Sequence, residues 1–221
     1  MIHIIDDFIA PPCPENIEIL FKDEHLLLMN KPSGLLSLSG KKPCNKDSVH
    51  FRLTQDYPDA TLVHRLDFGT SGIMIVALNK SINAHIGKQF QAGTVNKNYT
   101  AVLAGVINND EGLIEYPIAK DPAYFPRQKI CSIEGKKART HYRVIQRYSD
   151  RTRVIFTPHT GRTHQLRIHS REFGHAILGC DLYGTAQTHA MAPRLLLHAT
   201  TIEFVHPVTH LPMQGVAACP F

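Results

Sequence analysis

The apolar run GIMIVALN (72–79) constrains the fold of this chain more than any other stretch. It carries no charge, and Ile73, Ile75 and Val76 are β-branched, so it reads as a strand buried in a sheet. Ser81 is placed to cap a following helix that runs to about Phe90, with Gly93 just past its end. Upstream, IEILFKDEHLLLMNKPSG alternates apolar and polar residues, turns at Lys22–Glu24 and stops at Pro32–Gly34, which is the pattern of a hairpin. Residues 37–47 form a polar loop, and SVHFRLTQDY is a short helix with Asp47 or Ser48 as its N-cap. Downstream lie a strand at NYTAVLAGVI (98–107) and a hairpin of 138–149 and 152–159 around Ser149–Asp150. A helix at THQLRIHSREFG (163–174) ends at Gly174, and late strands occupy LLLHATTIEFVHP. Strands outnumber helices and short turns join most of them. This predicts an α+β fold with a mixed, mainly antiparallel sheet rather than a βαβ repeat.

The chain has 221 residues, enough for one domain or a tight two-lobed unit with a substantial core. Apolar residues make up 43% and charged residues 19%, which excludes a disordered chain. Residues 1–17, broken by Pro11, Pro12 and Pro14, read as a loose N-terminal arm, and 18–221 as the folded domain. No apolar run reaches the roughly 18 residues of a membrane span. The opening MIHIIDDFIA has acids where a signal peptide needs Lys or Arg. A cytoplasmic monomer with no membrane partner is expected. The five cysteines, Cys13, Cys44, Cys131, Cys180 and Cys219, are odd in number and contain no C-x-x-C, so reduced thiols fit better than disulfides or a zinc knuckle.

The net charge of +5 is unevenly placed. Residues 1–60 hold nine acids and six bases, whereas 127–171 hold twelve bases and only Glu134 and Asp150 as acids. Such clustering is the footprint of a polyanion partner, with a merely solvated basic face as the alternative. Other signals fail. GLLSLSGKK has one residue too many between its glycines for a P-loop and puts Lys42 where Ser or Thr must bind magnesium. There is no G-x-G-x-x-G and no G-x-S-x-G. His159, His164 and His169 recur at a spacing that gathers three imidazoles around one metal on neither a strand nor a helix, so no metal is expected.

Between Asp59 and Asp110 the only carboxylate is Asp67, in LVHRLDFGTSGIMIVAL, on the loop that feeds the buried strand. Leu66 and Phe68 flank it. A lone carboxylate in apolar surroundings loses hydration, and it either finds a cation or titrates high. Two readings are open: a turn aspartate capping the T-S-G segment, or a functional group. Glycoside hydrolysis wants two carboxylates, and two-metal nuclease chemistry wants several. One aspartate with an arginine and no metal can serve as covalent nucleophile or charge stabiliser.

HRLDFGTSG (64–72) resembles the H-R-L-D-x-x-T-S-G signature of the RluA-type pseudouridine synthases. NKPSGLLS (30–37) resembles the first block of that family, KNYTAVLAG (97–105) its tyrosine block and TGRTHQLRIH (160–169) its arginine block. GHAILGCDLYG (174–184) and RLLLHA (194–199) resemble the C-terminal blocks. The blocks occur in family order over residues 18–206.

The resemblance implies the pseudouridine synthase catalytic domain, a mixed sheet with flanking helices around a basic cleft. It implies Asp67 as the catalytic aspartate, Tyr99 as the ring against the target base and Arg162 as the partner of the aspartate. Leu166 becomes the apolar contact to uracil. Uridine becomes pseudouridine by exchange of the N1–C1′ bond for C5–C1′, without redox change, so no cofactor is expected. Asp67 attacking C1′, adding at C6 or removing a proton all remain open. The target base must leave its stack. Arg65 is placed to fill the vacancy, because guanidinium planes stack on bases, or else it forms a structural salt bridge. Arg127, Lys129, Lys136, Lys137, Arg139 and Arg143 are the expected phosphate contacts. His64 either orients the loop or packs. The compact length leaves no room for an S4-type domain before the first strand. With the KDSV, AMAPRLLLHA and HPVTH segments, it resembles the dual-specificity members of the family. These act on stem-loops of 23S rRNA and of tRNA anticodon arms, so RNA is the expected partner. A non-catalytic RNA-binding or remodelling module on the same scaffold and a metal-dependent RNA hydrolase are the alternatives.

Overall fold

The computed structural model describes residues 8–221. Residues 1–7 of the expected arm lie outside the described residues, and 8–17 form neither helix nor strand. Strands β1 (Glu18–Lys22) and β2 (Leu26–Lys31) make the expected hairpin, closed by Asp23, whose carboxylate accepts from the backbone N–H of His25 and Leu26 at 2.7 and 2.8 Å. Helix α1 (Val49–Asp56) is capped by Ser48, which accepts from the Phe51 N–H. β3 (Thr61–Leu62) and β4 (Ser71–Ala77) follow, and β4 is buried along its whole length.

Helix α2 (Lys80–Ala92) is capped by Asn79 rather than Ser81. The cap residue must still be extended, and Asn79 (φ −159°, ψ 168°) is the last such residue, whereas Ser81 already lies within the first turn. Gly93 closes the helix in the left-handed conformation (φ 71°). Then come β5 (Asn96–Ala104), β6 (Glu111–Ile114), β7 (Ile118–Lys120), β8 (Gln128–Ile130), β9 (Thr140–Arg147) and β10 (Arg151–Pro158). Helices α3 (Gln165–Glu172) and α4 (Ala186–Ala190) precede β11 (Leu197–Val205) and β12 (Pro212–Val216).

The chain forms two compact units, one of residues 9–99 and 197–221 and the other of 100–196 with Phe8. The boundary falls inside β5. In the first unit the strand order is β1-β2-β4-β11, with β3 beside β4 and β12 beside β11. β4 and β11 pair in parallel, His198 opposite Ser71 and Ala199 opposite Gly72. The core gathers Leu26–Met29 of β2, Ile73–Ala77 of β4, Ile82 and Ile86 of α2, and Ile202 and Phe204 of β11. A strand covered on both faces must be continuously apolar, which is why residues 72–79 lack alternation. Each buried Ile, Val or Met in β4 contributes about 1.5–3 kcal/mol of burial.

Gly72 sits at φ +116°, and a Cβ there would lie 2.2 Å from the Ala199 carbonyl oxygen, so the parallel contact requires glycine. In the second unit β10-β9-β6 form an antiparallel run, with β7–β8 as a separate two-stranded ladder. Val154, Phe156, Tyr142, Ile168, Ile177 and Leu178 are among its buried side chains. Among the described residues no helix is long and apolar enough to cross a membrane.

Candidate active site

Asp67 lies on the loop between β3 and β4, half-buried, between buried Leu66 and half-buried Phe68. The NKPSGLLS segment grips this loop by its main chain. Ser37 Oγ donates to the Leu66 carbonyl at 2.7 Å and accepts from the Leu66 N–H at 3.1 Å. The Phe68 carbonyl accepts from the Gly34 N–H at 2.9 Å and from Lys31 Nζ at 3.2 Å. Ser33 Oγ donates to the Gly69 carbonyl at 2.7 Å, and the Thr70 N–H turns back to the Asp67 carbonyl at 3.1 Å. Lys31 is fully buried, and its ammonium also donates to the carbonyls of Pro32 and Leu35 at 2.8 Å. A buried ammonium is tolerated only when its protons meet acceptors, and here three carbonyls meet them. The carboxylate of Asp67 is therefore presented from a backbone held on both sides.

Tyr99, half-buried on β5, belongs to the same unit. Burial raises the pKa of its phenol, and the negative charge of Asp67 raises it further. Tyr99 is thus a neutral ring and hydroxyl, not a base. His64 Nε2 accepts from the Ile75 N–H at 3.0 Å, so the proton of the neutral ring sits on Nδ1. Its ring lies 4.9 Å from that of Phe90, and Lys97 Nζ stands 5.3 Å from the same Phe90 ring. Burial first, and the Lys97 charge second, push the His64 pKa down to about 3. Burial also lowers the pKa of Lys97. His64 stands where the next carbonyl of β3 would otherwise satisfy β4, and this lets the chain leave the sheet toward Asp67. The orienting reading of His64 thus has a specific hydrogen bond behind it. Ser71 Oγ, 2.8 Å from His198 Nδ1, ties the end of the loop to β11, and His198 Nε2 donates to the Ala217 carbonyl at 3.1 Å. Arg65 is exposed, and among the described residues it forms no ion pair.

The remaining expected site residues belong to the second unit. Arg162 is exposed, just before α3, and its Nε donates to the Lys137 carbonyl at 3.1 Å. Buried Gln165 organises this corner. Its Oε1 accepts from Thr160 Oγ1 at 2.7 Å and from the Arg162 N–H at 3.0 Å, and its Nε2 donates to the Arg139 carbonyl at 3.0 Å. His164 takes a left-handed backbone (φ 56°). Leu166 is buried in the first turn of α3.

Of the expected phosphate contacts, Arg139 already faces Glu115 at 3.4 Å on the surface. Arg127, Lys129, Lys136, Lys137 and Arg143 are exposed, and among the described residues they have no acidic partner. Arg147 pairs with Asp110, Arg151 with Asp150 and Arg167 with Asp181. The charge excess of 127–171 is thus partly offset by acids from elsewhere in the chain. Among the described residues no group of His, Cys, Asp and Glu is arranged to hold a metal ion.

The RNA pseudouridylate synthase family model matches residues 25–172. The dual-specificity RNA pseudouridine synthase RluA of Escherichia coli (strain K12) is 44% identical over 198 residues, 89% of this chain and 90% of that protein. The protein of the same description from Yersinia pestis is 46% identical over 197 residues, 89% of this chain and 96% of that one. Among solved structures, human RNA pseudouridylate synthase domain containing 1 superposes with a TM-score of 0.79 at 27% identity. The match covers 96% of this chain and 86% of that one. The chain belongs to the RNA pseudouridylate synthase family, in its RluA-type branch. It is an isomerase that converts uridine in RNA to pseudouridine.

The sequence singled out Asp67 and the basic segment by residue pattern, and Tyr99 only through the family resemblance. It assigned no role to Lys31, Ser33, Ser37, Lys97 or His198. A lysine inside LLLMNKP, between an apolar strand and a proline, was the one signal available for a buried, carbonyl-bound ammonium.

Proposed function

We propose that residues 18–221 form the catalytic domain of a cytoplasmic, monomeric enzyme. It isomerises a uridine in stem-loops of 23S rRNA and of tRNA anticodon arms, with Asp67 as the catalytic aspartate. The observation that carries this reading is the main-chain clamp on residues 66–69. It presents one carboxylate whose charge reaches a half-buried, neutral phenol. The relatives described as dual-specificity enzymes support the choice of two RNA classes.

The N1–C1′ bond breaks, the uracil turns, the C5–C1′ bond forms, C5 loses its proton and N1 gains one. Attack at C1′, addition at C6 and removal of a proton by Asp67 all require an ionised carboxylate at the sugar edge of the base. The family resemblance assigns Arg162 as the partner of that carboxylate. Tyr99 walls the pocket and keeps the detached uracil from water, and Leu166 contacts its apolar face. Arg65, exposed and free of ion pairs among the described residues, stacks into the gap that the flipped nucleotide leaves. Arg127, Lys129, Lys136, Lys137, Arg139 and Arg143 bind phosphates, with Arg139 exchanging its weak surface pairing to Glu115 for RNA. Incubation with one rRNA and one tRNA stem-loop, followed by carbodiimide-dependent reverse-transcription stops, tests the proposal. Stops at a loop uridine in both RNAs are expected. Stops in one RNA class alone contradict dual specificity, and their absence from both contradicts the substrate assignment.

A further inference from the structure

We propose that the tip of the β7–β8 hairpin is a stacking platform for unpaired bases of the RNA loop, with Tyr124 and Phe125 as its rings. The inference rests on the RNA reading above and adds a binding surface to it. The tip builds itself from backbone alone. The Asp121 N–H donates to the Arg127 carbonyl at 3.1 Å, the Tyr124 N–H to the Asp121 carbonyl at 3.2 Å and the Arg127 N–H to the Tyr124 carbonyl at 2.8 Å. The two aromatic side chains are thus not needed to close the turn, and they stand in water, 65% and 56% exposed. Turns of this kind are ordinarily filled by small polar residues. Adjacent exposed rings at a loop tip mark a contact surface.

The surroundings select the partner. Lys120, Arg127 and Lys129 flank the rings, all exposed, with Lys136 and Lys137 following in the chain. Ile118 bridges to Lys136, so these cations belong to the same small ladder. Flat faces interleaved with cations fit a strand that alternates bases and phosphates. A protein surface would have to bring apolar and acidic groups in the same alternation. The platform also stands on a firm base. The Gln128 N–H donates to Tyr183 Oη at 2.8 Å, and that hydroxyl lies 2.8 Å from His164 Nδ1. The Arg167 guanidinium, paired with Asp181, sits 5.4 Å over the Tyr183 ring. The hairpin is thereby joined to the segment that carries Arg162, so rings and arginine are positioned by one hydrogen-bonded cluster within this unit.

The chain contains no tryptophan, so Phe125→Trp supplies its only indole. Quenching of that fluorescence by a stem-loop RNA, and none by a blunt duplex of equal length, is expected. The double variant Tyr124→Ala/Phe125→Ala should raise KM for the stem-loop about tenfold, with kcat at saturation retained. Exchanging the two rings (Tyr124→Phe/Phe125→Tyr) should restore KM. The salt dependence of binding should not change, because no charge is removed. If wild-type enzyme makes pseudouridine in the stem-loop while the indole is unquenched and the alanine variant keeps its KM, the platform is wrong and the enzymatic reading stands. If the stem-loop quenches the indole but no pseudouridine forms, the platform stands and the substrate reading fails. Loss of a sedimenting dimer in the alanine variant would make the tip a contact between copies and overturn the proposal.

Discussion

Ser37 and His64 hold the backbone on either side of Asp67, Ser37 at the Leu66 peptide and His64 at the Ile75 N–H of β4. Ser37 Oγ serves both polar atoms of the Leu66 peptide, one residue from the carboxylate. Ser37→Ala leaves both without that partner, and urea unfolding should show a loss of about 1–3 kcal/mol. Because the loop loosens, kcat should fall more than KM rises. His64 is held neutral, with its pKa at about 3 against an ordinary value of 6.5. Between those values the unfolded chain binds the proton and the folded chain does not, so acidification through this window favours unfolding. Above pH 6.5 this histidine contributes no slope. Its share of the slope within the window is at most about 1.4 kcal/mol per pH unit. His64→Gln keeps an acceptor for the Ile75 N–H and removes the titration. Its stability should therefore fall less than that of the wild type on passing from about pH 7 to about pH 5. An equal fall in both proteins would show that the imidazole is not the group held neutral.

At the level of elements, one strand crossing decides the geometry of the loop. β4 begins at Ser71 directly after the clamped turn, and its first residues pair in parallel with β11. Gly72→Ala would drive a Cβ against the Ala199 carbonyl and force β4 and β11 apart. Thermal unfolding should register a loss of about 3 kcal/mol or more, together with loss of activity at temperatures where the protein stays folded. Elements defined by local pattern were legible from sequence: the β1–β2 hairpin, α1 with its Ser48 cap, buried β4, the β9–β10 hairpin and α3 before Gly174. The N-cap of α2 was misplaced by two residues because Asn79 and Ser81 are both capping types, and only the backbone conformation separates them. β3, β6, β7 and β8 have two to four residues each, too few for a local periodicity to announce them. The parallel partnership of β4 with β11 joins residues far apart in sequence, which no local pattern reveals.

For the molecule as a whole, we propose that charge sets how RNA is met and that Asp67 sets what is done to it. Sequence alone located the basic stretch, but it could not show that Arg139, Arg147, Arg151 and Arg167 already face acids, three of them from outside that stretch. If the five exposed cations without acidic partners each bind a phosphate, the slope of log affinity against log salt should be about −3.5 to −4.5. Lys136→Ala/Lys137→Ala should flatten that slope by about 1.5. The family motifs named the carboxylate, phenol and arginine. The Lys31, Ser33 and Ser37 clamp stayed hidden, because it acts through main-chain carbonyls that carry no residue signature. The most direct measurement compares wild type with Asp67→Asn on a stem-loop containing one target uridine, with both proteins checked for equal RNA affinity. The wild type should form pseudouridine, and the asparagine variant should bind the RNA and form none. Pseudouridine from the variant at a rate near that of the wild type would contradict the assignment of the reaction to this carboxylate.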